Sequence, residues 1–203
     1  MKRQKYAKIL IFIFTSAILQ GCTTRTIRID PIPELKIGSP LAGLEPLNFV
    51  IKEFEDMRPN KKLVGACRVG PKIELEDQKV SEIVVDAIAN EIKRNGHNVL
   101  PSAETDKADV IIDGIVRGYW IQSNNYTFSI KITGMIETEI KVTTRQSKNR
   151  ALSKTYQGDY YYETSGIISS GIWQHVINEA LLDMVKELTT DEEFLSRLKQ
   201  VRR

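Results

Sequence analysis

Cys22 is the residue whose setting most clearly predicts a chemical modification. It is one of two cysteines in the chain, it follows a glycine, and it stands just after a short apolar run. A cysteine thiolate is a nucleophile that can be joined to a lipid. Gly21 has no side chain and leaves room for a peptidase to cut between Gly21 and Cys22. The chemistry that we expect is lipidation of the thiol followed by cleavage, which makes Cys22 the new N-terminus.

The segment before Cys22 has the pattern of a secretory signal peptide. Four basic residues and no acidic residue precede Cys22. The apolar core over residues 9–19 has about 11 residues, whereas a membrane-spanning helix needs about 20. Residues 19–22, Leu-Gln-Gly-Cys, resemble the bacterial lipobox. We therefore expect residues 1–21 to be removed as a lipoprotein signal peptide. Thr23 stands where an aspartate would favour the inner membrane, which predicts an outer-membrane lipid anchor on the periplasmic face.

The net charge of the chain depends on whether this segment is still attached. The full sequence has 29 basic and 26 acidic residues and a net charge of +3. Without the four basic residues of the signal peptide, 25 basic residues face 26 acidic ones. The mature chain thus has no basic excess, and this balance together with export to the envelope excludes nucleic acid as a partner.

No other residues have the spacing of a catalytic or metal-binding set. Cys67 is predicted to be a small buried side chain or to pair between chains, and His97 and His175 are predicted to be surface residues outside any ligand motif. Asp56 and Arg58 follow a predicted strand and are expected to form a local ion pair. We expect no enzymatic activity, no metal and no cofactor, with an enzyme as the weakest alternative.

The elements that must position these residues follow from the spacing of apolar side chains. Residues 22–46 contain four prolines and no sustained period, which predicts a flexible tether with a short strand near residues 26–29. A single domain over residues 47–203 is predicted to follow. Its helices are indicated by apolar stripes at helical spacing from Val80 to Ile92 and from Trp173 to Leu188. Its strands are predicted over residues 47–54, 98–100, 110–121, 128–142 and 152–162.

This order of elements predicts an α+β fold. Antiparallel strands in sequence, with two main helices on one face, form a two-layer sandwich with a mostly antiparallel sheet. The alternation over residues 128–142 places Lys131, Glu137 and Glu139 on the face opposite to the core. Tyr161 also faces away from the core, while its even-numbered tyrosine neighbours pack on the helices. Because tyrosine suits interfaces, these four residues are the predicted partner surface.

The order of elements resembles the YajG family of uncharacterised bacterial lipoproteins. The resemblance rests on the signal and lipobox, the strand ending in Asp56-x-Arg58, the amphipathic helix closed by Gly96, the strands Tyr126 to Val142 and Tyr156 to Tyr162, and the stripe helix followed by Phe194-Leu195. It implies an envelope lipoprotein and brings no activity, cofactor or catalytic residue.

Two functions stay open. The first is a non-enzymatic module that binds an envelope protein or peptidoglycan through the exposed strand face or a sheet edge. The second is an accessory lipoprotein of a lipid or lipopolysaccharide transport machine, which a groove between sheet and helices would favour.

Overall fold

The computed structural model describes residues 24–29, 35, 39–68, 70–145 and 151–201. The predicted signal peptide, Gly21 and Cys22 lie outside the described residues. The described part is α+β, with a mixed sheet of nine strands and three helices. The strands are β1 Thr24–Ile27, β2 Asn48–Ile51, β3 Glu55–Asp56, β4 Leu63–Cys67, β5 Lys72–Leu75, β6 Asn98–Leu100, β7 Val110–Asn125, β8 Ile130–Thr144 and β9 Leu152–Thr164. The helices are α1 Val80–Arg94, α2 Ser170–Thr190 and α3 Glu192–Gln200.

The long strand β7 organises the sheet. On one side it pairs antiparallel with β8, which pairs antiparallel with β9. On its other side the short strands β2, β3 and β4 pair with it one after another, all parallel. β6 lies parallel to β2, β5 lies antiparallel to β4, and β1 lies parallel to β5. The prediction of a mostly antiparallel sheet is therefore only partly confirmed. β2 and β6 lie parallel because the chain between them, which includes α1, crosses over and returns in the same direction.

The two predicted stripe helices are confirmed. In α1 the apolar residues of the stripe are buried, and Gly96 closes the helix with a φ of 85°. In α2 the stripe from Trp173 to Leu188 is buried as well. The short helix α3 begins after Asp191, which is its N-cap and whose side chain accepts a hydrogen bond of 2.7 Å from the Phe194 amide.

Strands β8 and β9 show the predicted alternation, and α2 packs closely on their inner face. β8 runs through Gly134 without a break, so the strand extends as one element. A Cβ atom added at Gly134 would lie 2.9 Å from the Val176 carbonyl oxygen. One added at Gly158 would lie 2.0 Å from the Ala180 carbonyl oxygen. These two glycines therefore let the backbone of α2 touch the sheet.

Part of the predicted tether is packed into the domain. β1 adds a strand to the sheet, and Ile27, Ile29 and Leu41 are buried in the core. The Gln78 side chain pairs with both backbone groups of Ile29, at 2.7 and 2.9 Å. The structure thus corrects the prediction of a flexible tether over residues 22–46 for the described residues 24–29 and 39–46. The apolar residues in this segment are too widely spaced to form a period, although Ile27, Ile29 and Leu41 each fill a place in the core.

His97 is buried, which corrects its predicted place at the surface. Its Nδ1 accepts a hydrogen bond of 3.2 Å from the Leu47 amide, and its Nε2 lies 3.2 Å from the Leu41 carbonyl oxygen. The ring also packs edge-on against Phe49, with 5.4 Å between the ring centroids. The histidine therefore connects the segment before β2 to the loop after α1.

We expect the free energy of unfolding to decrease as the pH is lowered, because of His97. Burial lowers the pKa of its imidazole below the ordinary value of 6.5, although the contact with Leu41 opposes this. The unfolded chain then binds the proton more readily, so the stabilisation is complete above about pH 6.5 and is lost as the pH falls below it. Urea unfolding at pH 7.5 and 5.5 should show a larger loss of free energy for the native chain than for His97→Gln. Equal losses in both proteins would remove His97 as the cause.

Candidate functional site

The predicted partner residues share one face of the sheet, which we call the outer face. It carries the odd-numbered side chains of β8 and β9, whereas the even-numbered ones point to the helices. Lys131, Glu137, Glu139 and Tyr161 all lie on it. Lys131 and Glu139 are eight positions apart, about 26 Å along the strand. The four residues therefore form two separate groups rather than one cluster.

The first group lies where β9 approaches its end. Tyr161 is exposed to 63%, and it sits across the strands from Thr133. The ammonium of Lys131 lies 4.4 Å from the centroid of the Tyr161 ring. This cation–π contact holds the lysine over the tyrosine and leaves much of the ring open to a partner.

Two further apolar residues continue this group across the outer face. Trp120 lies directly opposite Met135 in the β7–β8 pair, and Met135 lies opposite Asp159 in β9. Tyr161, two positions beyond Asp159, is thus the diagonal neighbour of Met135. Met135 is exposed to 42%. We call Trp120, Met135 and Tyr161 the apolar strip. Sequence reasoning missed Met135, although its odd position among polar residues was a usable signal.

The second group is a charged network that joins β7 to β8. The guanidinium of Arg117 donates two hydrogen bonds to Glu139, one of them 3.1 Å from Nε, and the Ser153 hydroxyl donates a third at 3.2 Å. Hydrogen bonds from Arg117 and then from Ser153 lower the pKa of the Glu139 carboxyl. Asp113 lies 4.0 Å from the Lys52 ammonium and does not pair with Arg117. Glu139 therefore links β8 to its neighbours β7 and β9. Glu137 is half-buried and lies beside Gly118.

The free edge of β9 is partly closed by α2. The Gln157 amide donates to Glu187 at 2.6 Å, and the Asp159 amide donates to Asp183 at 3.2 Å. These carboxylates occupy donors that an added strand would need. A crevice of about 520 Å³ lies beside this edge, with Tyr160 and Leu182 in its lining. Between the sheet and α2 themselves, the backbone contacts at Gly134 and Gly158 leave no groove at those positions.

The Asp56–Arg58 ion pair is confirmed. Arg58 is 6% exposed, and its Nη2 lies 2.8 Å from Asp56 Oδ2. It also donates to the carbonyl oxygens of Lys61 and Leu63, at 2.7 and 3.1 Å. Burial tends to raise the pKa of Asp56, but the hydrogen bonds and charge of Arg58 lower it overall. The pair fixes the turn after β3, and with every oxygen of Asp56 occupied it is not placed as a general base.

The remaining chemical candidates are structural residues as well. His175 is exposed, as predicted, and its ring lies edge-on to those of Tyr160 and Tyr162, at 5.5 and 6.2 Å. Cys67 is half-buried and packs against the core, and it forms no disulfide within the described ranges. Across the part of the chain that the structure describes, no His, Cys, Asp and Glu side chains group to hold a metal ion.

Among the residues that the structure describes, no helix combines the length and the apolar content that crossing a bilayer requires.

Solved structures resemble the fold. A Xanthomonas campestris protein of the family DUF330 aligns with a TM-score of 0.55 at 12% identity, covering 90% of this chain and 98% of its own. Lipoprotein GNA1162 from Neisseria meningitidis gives a TM-score of 0.35 at 9% identity, with 65% and 95% coverage. A minor lipoprotein from Acinetobacter baumannii gives 0.38 at 10% identity, with 72% and 94% coverage. The first of these shows a shared fold at this low identity.

The family assignment comes from the sequence itself. No curated protein matches the chain. The family model Lipoprotein_16, described as an uncharacterised lipoprotein, matches residues 53–199, from just after β2 to the last turn of α3. This is the YajG family that the order of elements resembles. The chain therefore belongs to the Lipoprotein_16 family of uncharacterised lipoproteins.

Proposed function

We propose that this protein is an outer-membrane lipoprotein, anchored through lipidated Cys22, whose periplasmic domain binds an envelope protein through the outer face of the sheet. Its membership of a lipoprotein family supports the anchor. The lipobox at residues 19–22 supplies the site of attachment, and Thr23 supports the outer membrane as destination.

The anchor accounts for membrane attachment without a spanning helix. A buried methylene contributes about 0.8 kcal/mol to membrane binding, and a single acyl chain holds a protein only reversibly. Several chains on Cys22, as in a mature bacterial lipoprotein, hold it permanently. The domain then acts at the membrane surface, and its partner is a protein that reaches the same surface.

The observation that carries the interaction role is the apolar strip. Trp120, Met135 and Tyr161 adjoin one another, and the other outward side chains of β8 and β9 are polar. Met135 and Tyr161 are exposed, and Lys131 adds a positive charge beside them. Interfaces are enriched in aromatic residues and methionine. The neighbouring Arg117–Glu139 pair provides a polar rim. A protein surface with an apolar centre and an acidic or carbonyl-rich edge fits this arrangement.

Protein binding through the outer face has more support than binding at the edge of β9 or a role in lipid transport. The edge of β9 has two of its amides occupied by Glu187 and Asp183. A role in carrying lipid would need space between sheet and helices, but α2 lies against Gly134 and Gly158. Among the alternatives that the sequence leaves open, binding of a protein through the face therefore has the most support.

We expect a photo-crosslinking amino acid at Met135 to capture a discrete protein in intact cells. The same amino acid at Asp86, exposed on α1, is the control and should give no such product. A hot-spot side chain contributes about 2 kcal/mol, so Tyr161→Ala should lower the yield from position 135 at least about tenfold. Identical products from positions 135 and 86 would contradict the interaction role.

A further inference from the structure

The first strand of the domain starts almost at the lipid anchor. Only Thr23 separates Cys22 from Thr24, the first residue of β1. Two residues of fully extended chain reach about 7 Å. Because β1 is held in the sheet by its pairing with β5, lipids on Cys22 would bring the start of β1 close to the bilayer.

The strand register shows which other turns lie at the same end of the sheet as the start of β1. One residue from each of six strands lies in a single row of pairs: Thr24, Lys72, Ala66, Gln122, Thr133 and Tyr161. Beyond this row β1 leads back to Cys22, β7 ends, β8 begins and β9 ends. The β7–β8 turn and the loop between β9 and α2 therefore lie at the anchor end.

Large hydrophobic side chains are exposed at this same end. Phe128 and Tyr126 in the β7–β8 turn are 88% and 60% exposed, and Ile167 in the loop after β9 is 94% exposed. Phe128 and Ile167 are the two most exposed of the large hydrophobic residues in the described ranges. The loop of Ile167 adjoins β1, because Arg25 Nη1 donates to the Ile168 carbonyl oxygen at 3.2 Å. We call Tyr126, Phe128 and Ile167 the anchor rim.

The charges around the anchor rim favour an anionic surface. Counted from one position inside the row outward, the described residues of these six strands and of the turns beyond them carry four basic side chains and one acidic side chain: Arg25, Arg68, Lys72, Lys131 and Glu163. The mature chain as a whole has slightly more acidic than basic residues. The local excess of positive charge is thus concentrated at the end from which the lipid anchor emerges.

We propose that the anchor rim inserts into the interface of the phospholipid bilayer that holds Cys22, so that the domain sits on the membrane rather than on a tether. This rests on the proposed lipidation of Cys22. Tyr126, Phe128 and Ile167 enter the boundary between headgroups and acyl chains, where aromatic and aliphatic side chains bind. The basic residues lie at the level of the phosphates. The long strands then lead away from the bilayer, and the outer face lies to the side, where a membrane-bound partner can reach it.

A bilayer suits this surface better than a protein does. The three rim residues stand on two separate loop tips and do not form a flat patch like the apolar strip. A fluid interface accepts separate protruding side chains, and the lipid anchor already brings that interface within about 7 Å of β1.

The test uses the full-length lipoprotein reconstituted in vesicles of phosphatidylethanolamine and phosphatidylglycerol. Tryptophan is introduced by Phe128→Trp and by Ile167→Trp, and quenching by dibrominated phospholipids is measured. Met57→Trp is the matched control, because Met57 is 54% exposed but follows a pair with Val116, nine positions and about 30 Å from the end of β7. All three substitutions are at exposed positions and leave the core intact.

The added tryptophan at positions 128 and 167 should be quenched at least about twofold more than the one at position 57. Flotation of the same vesicles measures separately whether the protein is attached to them through the lipid anchor. If the protein floats with the vesicles but all three positions are quenched equally, the insertion of the rim is overturned and the lipid anchor stands; the rim would then face water or a protein. If the protein does not float, the anchor fails and the inference fails with it.

Discussion

Replacing Gly158 by alanine is expected to destabilise the domain by about 3 kcal/mol or more, a large part of the 5–15 kcal/mol that a domain of this size has. The new Cβ atom would lie 2.0 Å from the Ala180 carbonyl oxygen and 2.4 Å from the Met184 amide nitrogen. Both are backbone atoms in the middle of α2, so no side chain can turn aside. The helix would have to move away from β9 and open its packing on the buried Tyr156.

The measurement is urea unfolding of a chain beginning at Thr23, with circular dichroism as the readout. Gly43→Ala is the matched control, because a Cβ atom there has nothing within 4 Å. This control should change the free energy of unfolding by less than about 0.5 kcal/mol. A Gly158→Ala protein that unfolds at the same urea concentration as the control would show that α2 does not rest on β9 as described.

Replacing Cys22 by serine is expected to remove the protein from the outer membrane. A serine hydroxyl does not take the place of the thiol in forming the thioether to diacylglycerol, so the acyl chains that hold the protein are lost. The weak binding of the anchor rim alone is reversible, and washing at high salt should remove it. The amount of protein in washed outer membranes should fall at least about tenfold.

The parts of the fold that were predictable are those with a sustained period. The stripes of α1 and α2 and the alternation in β8 and β9 each extend over many residues, and burial imposes the period directly on the sequence. For the same reason, the outward position of Tyr161 and the inward position of Tyr156 followed from parity alone. The Asp56–Arg58 pair was predictable because both partners lie in one turn.

The parts that were missed depend on partners far away in the chain. β4 and β5 have five and four residues, too few to show a period, and their places in the sheet follow from pairing with β7 and with each other. The outward position of Trp120 was hidden because the register shifts between Val116 and Gly118, which reverses the parity within β7. His97 is a polar residue beside a helix end, and only the return of residues 41–47 over it makes it buried.

The outward direction of the candidate partner residues was predictable, whereas their contacts were not. Lys131 and Tyr161 lie on the outer face, as parity indicates, and their role as a partner surface stays a prediction. Arg117 and Ser153 bind Glu139 from neighbouring strands. Met135 completes the strip only through its pair with Trp120, a contact between strands that no local pattern reveals.

The distribution of the protein between separated membranes tests the central claim most directly. Cells that produce either the native chain or Cys22→Ser are lysed, and inner membranes, outer membranes and the soluble fraction are separated by density. The account predicts the native chain in the outer membrane, and the Cys22→Ser protein in the soluble fraction or unprocessed in the inner membrane. The same outer-membrane distribution for both proteins would contradict a lipid anchor at Cys22.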